Sequence, residues 1–502
     1  MQKRQIFINA LMSVTQIVVI SVVLFVLYKF LLNTIGVAQL GIWSLVLATT
    51  SVTQIANFGL SGSVVKFVAK YVARGEDENI SGVVQTAVLS VAAFGSCVLL
   101  IGYPIAKWVL GLVIANEYLP LAFSILPYAF LALWSMVITS IFQAGLDGYQ
   151  RIDLRSILLM GGAIIHLLLC FVFVPIYGLI GVAYARVLVN VLILITSWLL
   201  LKKCLPALPV FPYRWNKGMF REIIGYGINF QVISVTAMLY DPITKVFLCK
   251  FGGLSMVGYY EMASRMVQQF RALIVSANQV LVPAIADLKE KTPEKIQSVY
   301  SNSYQLLFYL ALPLYSFIII CSPIISELWI GHHETVFVLF TTLLAIGWFL
   351  NTLNAPAYFA YLGIGELRWS VISHITTGIL NAGLGFMMGV LFNGIGVVVA
   401  WTFSLALGSS IIYLSYHIKY RIPLIELLPK SSTIIIVTCL SGILSTLIIQ
   451  HQLNHVFNTI TLNSIILFSF SIIVFVPLWF HPLRKRLMGW VTDELLNRET
   501  AT

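Results

Sequence analysis

Apolar runs of membrane-crossing length recur along the chain from residue 9 to residue 480, separated by short polar breaks. A helix needs about 20 consecutive apolar residues to cross ~30 Å of hydrocarbon, because it rises ~1.5 Å per residue and must satisfy its own backbone hydrogen bonds. The pattern predicts spans over 9–32, 41–65, 80–106, 118–145, 156–175, 178–201, 223–250, 254–283, 298–326, 336–362, 369–393, 394–418, 432–450 and 460–480. The expected fold is an all-α polytopic membrane protein of about fourteen transmembrane helices, with no soluble domain large enough to carry chemistry. Lys3 and Arg4 precede the first span, but its apolar core exceeds a signal-peptide core and lacks a small-x-small cleavage site. It is expected to stay in the protein.

Composition agrees with that reading. The chain is 59% hydrophobic and 10% charged, an inventory from which a water-soluble surface cannot be built. The net charge of +11 would suggest nucleic-acid binding in a soluble protein, but here its distribution decides otherwise. With the N-terminus in the cytoplasm, the basic residues fall mostly on that side, among them Lys66, Lys70, Arg151, Lys202, Lys203, Lys289, Lys419 and the Arg484-Lys485-Arg486 cluster. The opposite loops are nearly free of Lys and Arg, which is the positive-inside pattern. An even number of spans with both termini cytoplasmic follows.

Catalytic chemistry has no visible carrier. There is no nucleophile elbow, phosphate loop, zinc spacing or paired-carboxylate motif, so no enzyme activity, cofactor or metal is expected. The six cysteines, Cys97, Cys170, Cys204, Cys249, Cys321 and Cys439, are scattered without a CxxC and read as packing residues. His332, His333 and Glu334 sit together in an outer loop, where a solvated loop is the plainer reading than a metal site.

An internal repeat organises the spans. Leu40-Gly41-Ile42-Trp43-Ser44 resembles Val257-Gly258-Tyr259-Tyr260-Glu261 at an offset of 217. Gln143 to Arg151 resembles Tyr361 to Arg368 at 218, and Tyr177 to Ala183 resembles Asn393 to Val398 at 215 to 216. The parsing is a six-helix lobe over 1–201, a basic linker over 202–222, a second six-helix lobe over 223–421, and two extra helices with a tail over 422–502. Six is even, so the halves are parallel repeats, as two-lobed transporters are built. The linker is expected to end in an interfacial turn, and the tail beyond His481, with Leu483, Leu487, Trp490 and Val491, suits a helix lying on the inner leaflet.

Three stretches carry a family resemblance. They are Asn57-Phe58-Gly59-Leu60-Ser61-Gly62-Ser63 leading to Lys66-Phe67-Val68-Ala69-Lys70-Tyr71, Gly258-Tyr259-Tyr260-Glu261-Met262-Ala263-Ser264-Arg265, and the Gly363-Ile364-Gly365-Glu366 turn. Together they resemble the polysaccharide transporter family, the O-antigen and oligosaccharide flippase branch of the multidrug/oligosaccharidyl-lipid/polysaccharide exporter superfamily. The resemblance implies a V-shaped pair of six-helix lobes that turns an undecaprenyl-pyrophosphate-linked sugar chain across the bacterial plasma membrane. It also implies lipids and the lipid-linked oligosaccharide as partners, with H⁺ or Na⁺, a polymerase and chain-length proteins as further candidates. Lipopolysaccharide, capsule, teichoic acid and exopolysaccharide remain open as products.

Charge at membrane depth gives candidate site residues independently of that likeness. An arginine at the bilayer centre costs about 2.5–3.5 kcal/mol on insertion scales, so it faces a cavity or a partner. Arg265 lies roughly 16 Å along the eighth span from its outer end. Glu261 precedes it by four residues, on the same helix face. One reading is a structural ion pair; the other is that Arg265 meets an anionic ligand, for which the planar guanidinium suits pyrophosphate. Asp241 and Lys245 stand four apart beside Pro242, as a snorkelling lysine or a ligand contact. Arg186 with Asn190 lies midway down the sixth span and Arg271 deeper in the eighth, each a candidate to line the cavity. Gln54 and Asn57 share a face, for sugar hydroxyls or for interhelical bonding. Glu261 and Asp241 are the candidates for ion coupling, while His166 and His374 read as packing. Buried charge is mostly basic, which favours an anionic substrate over the organic cations of a drug exporter, the alternative within the superfamily. A membrane polymerase or glycosyltransferase is the alternative of another class. The expected mechanism is rocking of two lobes about a midplane site.

Overall fold

The structure, a computed structural model, describes residues 3–51, 59–278, 281–423, 428, 432–453 and 459–484. Every regular element among them is helical: one 3₁₀ turn, Pro293–Lys295, and fourteen α-helices. In chain order they are α1 (Lys3–Ser51), α2 (Leu60–Val72), α3 (Asp77–Val113), α4 (Leu119–Gly148), α5 (Ile152–Tyr177), α6 (Leu179–Cys204), α7 (Lys217–Asn278), α8 (Leu281–Lys291), α9 (Ile296–Ile330), α10 (Thr335–Leu353), α11 (Ala355–Ile364), α12 (Arg368–Tyr420), α13 (Ser432–Leu453) and α14 (Thr459–Phe480). Nine helices among the described residues are long and apolar enough to cross a membrane. Their outer faces leave large apolar side chains uncovered, such as Leu100 (76% exposed), Trp108 (66%) and Phe468 (69%). Faces of that kind are stable against lipid and aggregate in water. The chain is a multi-pass membrane protein.

Three helices are too long for one crossing, at 49, 62 and 53 residues for α1, α7 and α12. Each contains a break, at Gly36 (φ 79°, ψ 168°), Gly253 (φ 81°, ψ 173°) and Asn393 (φ 56°, ψ −149°). Tyr28 and Ser44, eight residues to either side of Gly36, would stand ~24 Å apart on a straight helix. Both hydroxyls instead bond the carboxylate of Glu261, at 3.0 and 2.8 Å. Across the third break, the Ser373 hydroxyl donates to the carbonyl of Gly408 at 2.6 Å. These helices therefore double back as hairpins: α12 holds both spans 369–393 and 394–418, α7 holds 223–250 and most of 254–283, and α1 holds 9–32 and the first part of 41–65, whose residues 52–58 lie outside the described residues and whose end is in α2. The turn is one or two residues, where the hydropathy between 32 and 41 suggested a loop. The tenth expected span, 336–362, corresponds to one apolar stretch, Thr335–Ile364, in which α10 and α11 adjoin at Asn354.

The repeat appears in backbone angles as well as in letters. Gly36 and Gly253 share one conformation at the offset of 217, and Gly178 (φ 57°, ψ −136°) shares that of Asn393 at 215. The helix ends near 148 and 364 close in matching Schellman turns. The amides of Gln150 and Arg151 donate to the carbonyls of Asp147 and Leu146, and those of Gly365 and Glu366 to Leu362 and Tyr361. The structural offset there is 215, three residues from the 218 that matching letters suggested. In the second repeat the turn is fastened further. Lys419 pairs with Glu366, and Lys289 donates to the carbonyl of Ile364 at 2.9 Å.

Asn393 occupies a backbone region that is essentially reserved for glycine, at a strain of about 1–3 kcal/mol. Its repeat partner is the glycine Gly178. Asn393→Gly is therefore expected to raise the thermal midpoint of the purified protein, and Gly178→Ala to lower it; an unchanged midpoint in both refutes the strain.

The structure divides into two units. The first is Met1–Glu261 with Gly385–Val397. Its core sets Leu60, Val64 and Val68 of α2 against Val84 and Val91 of α3 and Ile141 of α4. The second is Met262–Leu384 with Val398–Thr502. Its core includes a cluster of buried tyrosines, Tyr300, Tyr304, Tyr361 and Tyr416, and His417 Nε2 lies 2.8 Å from the Tyr300 hydroxyl. In that unit α13 and α14 pack on α9 through Tyr309, Ile320 and Phe470, and the Tyr309 hydroxyl donates to Leu478 at 2.6 Å.

Candidate functional site

In the first unit, the Gly253 break folds α7 so that Lys245 and Glu261 meet. Lys245 Nζ lies 2.6 Å from Asp241 Oδ2 and 2.7 Å from Glu261 Oε2. The lysine side chain is 2% exposed and that of Glu261 3%, whereas Asp241 is 43% exposed. The ammonium is thus held inside and does not snorkel. Glu261 is engaged on both oxygens, with Tyr28 donating to Oε1 and Ser44 and Lys245 to Oε2. The repeat offset of 217 relates Tyr28 to Lys245 and Ser44 to Glu261. Ser44 thus meets its own counterpart in the second repeat, while Tyr28 bonds the same carboxylate that its counterpart Lys245 does.

Also in the first unit, a cavity of about 340 Å³ opens among α1, α4, α5 and α6. Its polar lining is Thr139, Ser140, Gln143, His166, Arg186 and Asn190, and no carboxylate lines it among the described residues. Asn190 is positioned by its amide, which donates to the carbonyl of Ala132 at 2.8 Å. His166 is backed by Cys170, with 3.7 Å between Nε2 and Sγ. Arg186 and Asn190 were legible in the sequence as a helical pair. Thr139, Ser140 and Gln143 were not singled out, although their spacing places them on one face of α4. A guanidinium in such a cavity offers paired N–H donors to an anionic group, and the amides and hydroxyls suit further oxygen acceptors.

In the second unit, Arg265 is exposed one turn beyond Glu261 along α7. Arg271 lies in an aromatic setting, 4.5 Å over the Trp348 ring and donating to Asn351 Oδ1 at 2.9 Å. Asn351 in turn donates to the Ser409 hydroxyl at 2.8 Å. Arg271 Nε and Trp348 Nε1 are both buried without a hydrogen-bond acceptor. Tyr358 and His374 stand edge to face beside each other, with ring centroids 6.4 Å apart. Gln54 and Asn57 lie outside the described residues. At the outer loop, His332 Nε2 is 3.5 Å from Glu334, which caps α10 by accepting from the amide of Val336. Among the described residues no three His, Cys, Asp or Glu side chains converge.

Hairpins of membrane helices arranged as a sequence-level repeat, with charge buried at depth, define a transporter fold. Solved structures with that fold include an inward-facing multidrug resistance MATE family transporter of the MOP superfamily, at TM-score 0.71 and 16% identity over 79% of this chain and 94% of that one. The lipid II flippase MurJ in an inward closed conformation is similar at TM-score 0.66 and 13% identity, over 93% and 98%. A MOP superfamily transporter from Pyrococcus furiosus, described by the reversed polarity of its binding pocket, is similar at 0.56 and 15%, over 80% and 95%. No curated protein matches in sequence. The polysaccharide biosynthesis protein family matches residues 6–289, and the chain belongs to that family.

Proposed function

We propose that the protein is a flippase that carries lipid-linked oligosaccharide, on an undecaprenyl-pyrophosphate anchor, across the bacterial plasma membrane by alternating access for surface polysaccharide synthesis. The observation that carries this reading is the sign of the charge offered at depth. Arg186 is among the few polar side chains of a mostly apolar cavity that no carboxylate lines among the described residues, and Arg265 is exposed, while the carboxylates of Asp241 and Glu261 are engaged by Lys245. A pyrophosphate suits such a lining and an organic cation does not. In this reading the repeats are 1–201 and 223–421, joined by 202–222 and followed by the pair over 422–502, with both termini cytoplasmic. No nucleotide motif powers the step. Outward movement of negative charge from an inside-negative cell gains about 2.3 kcal/mol per charge per 100 mV. H⁺ or Na⁺ coupling through Asp241 or Glu261 is a further source of drive, and polymerase and chain-length proteins are the natural recipients of the product.

The test is flipping of a pyrophosphate-linked lipid oligosaccharide in proteoliposomes. Removing a charge-assisted hydrogen bond to the headgroup lowers transport about tenfold or more. Arg265→Ala and Arg186→Gln are expected to do so at equal protein amounts, with the fold intact. Wild type that fails to flip the lipid but expels cationic dyes would place the chain with the drug exporters, whose fold it shares.

A further inference from the structure

Between Lys202 and Arg221 the chain holds five basic residues, Lys202, Lys203, Arg214, Lys217 and Arg221, and no acidic one. The same stretch leaves large apolar side chains outside: Val210 is 55% exposed, Phe211 78%, Tyr213 66% and Trp215 50%. A linker that only joins two helices in water gains nothing from uncovered rings.

This linker is also held in place. Along α3 a polar stripe of Ser81, Gln85, Thr86 and Ser90 is buried, and it bonds the linker at successive points. The Ser81 hydroxyl donates to the carbonyl of Ala207 at 3.1 Å. Gln85 Oε1 accepts the backbone amides of Tyr213 and Arg214, both at 3.2 Å. The Thr86 hydroxyl accepts the amide of Asn216 at 3.2 Å, and the Trp215 indole donates to the Ser90 hydroxyl at 3.0 Å. From Ser81 to Ser90 a helix rises ~14 Å, so the segment is a strap laid up the side of α3. At its upper end Trp215 meets Phe220, with centroids 5.6 Å apart, and Phe220 stacks on Phe94 at 6.3 Å. Phe94, Leu100, Ile101 and Trp108 then continue as the uncovered face of α3. The rings of the strap are therefore continuous with the surface that faces acyl chains.

We propose that the strap is a docking surface for anionic phospholipid of the leaflet on the basic side of the protein. The rings lie at the boundary of headgroups and chains, where aromatic side chains settle, and the cations beside them meet the headgroup phosphates. The buried stripe on α3 holds ring and charge at that level. This surface does not depend on which substrate is transported.

Native mass spectrometry of the full-length protein, titrated with phosphatidylglycerol or phosphatidylcholine, reads the surface directly. Wild type is expected to bind phosphatidylglycerol more tightly, and the triple variant R214Q/K217Q/R221Q to lose on the order of a hundredfold of that affinity with phosphatidylcholine unchanged, since each surface cation contributes about fivefold. Phe211→Ser is expected to weaken both lipids. Gln85→Ala keeps every charge but frees the backbone, so a held strap loses affinity there too and a diffuse basic patch does not. The substituted cations are exposed, so the thermal midpoint without lipid should stay at the wild-type value. Equal binding of the two lipids by wild type, or wild-type affinity for phosphatidylglycerol in the triple variant, overturns the proposal.

Discussion

Lys245→Met is expected to lower the thermal midpoint sharply, and adding Glu261→Gln to it is expected to restore most of the loss. Lys245 Nζ sits 2.7 Å from Glu261 and 2.6 Å from Asp241, and the Lys245 and Glu261 side chains are 2% and 3% exposed. Removing one partner of a buried pair leaves a desolvated charge and costs about 3–5 kcal/mol, whereas removing both is often near neutral. Glutamine at 261 still meets Tyr28 and Ser44, so the double variant keeps the hydrogen bonds that fix the hairpin. A midpoint for Lys245→Met equal to wild type would mean that the carboxylate is solvated after all. The same variants separate structure from transport. If the double variant is stable and still flips lipid, the pair is a brace; if it is stable and inactive, the charge of Lys245 or Glu261 takes part in transport.

How this cluster forms shows which part of the site was legible in the sequence. Charges within apolar spans stand out, and Asp241, Lys245 and Glu261 were all visible as such. Helix periodicity pairs Asp241 with Lys245, and the structure has that pair at 2.6 Å. It also points Glu261 toward Arg265, but it cannot point across Gly253 to Lys245, because sixteen residues of straight helix would hold those two ~24 Å apart. The break itself was legible, between the spans ending at 250 and starting at 254, but not that a turn at Gly253 is tight enough to set Lys245 against Glu261. The hydroxyl partners were present in the repeat arithmetic, since 217 subtracted from Lys245 and Glu261 gives Tyr28 and Ser44. Reading them required knowing that the repeated segments touch one another. The cavity was half legible for a different reason. Arg186 and Asn190 announce themselves by charge and amide, but Thr139 and Ser140 are residues that membrane helices also use for backbone bonding, as Thr139 does here to the carbonyl of Ser135. His166, expected to be packing, borders the cavity. The linker was visible as basic and proline-rich. The four polar residues of α3 that hold it were indistinguishable from ordinary polar positions in a long helix.

Gly41→Ala and Gly258→Ala are expected to destabilise the first unit by similar, large amounts, while Gly62→Ala does little. A Cβ at Gly41 would overlap the carbonyl oxygen of Leu254, and one at Gly258 would overlap that of Val37. Val37 and Leu254 are related by the same 217 residues as Gly41 and Gly258. The two clashes are one contact used twice, self-complementary in the manner of a two-fold interface. Small residues let helix backbones approach this closely, and in lipid such approach is what drives association. A carbonyl cannot rotate aside as a side chain does, so relief requires the helices to part, at about 1–3 kcal/mol for a methyl and more for valine. Parting them also stretches the Ser44–Glu261 hydrogen bond, one turn further along. Gly62, where an added Cβ meets nothing within 4 Å, is the control. Thermal midpoints of the three variants and of Gly41→Ala/Gly258→Ala check this. Because both substitutions force apart the same two segments, the double should cost less than the sum. A loss at one glycine and none at the other would break the symmetry of the crossing, and strict additivity would mean that the two contacts act separately.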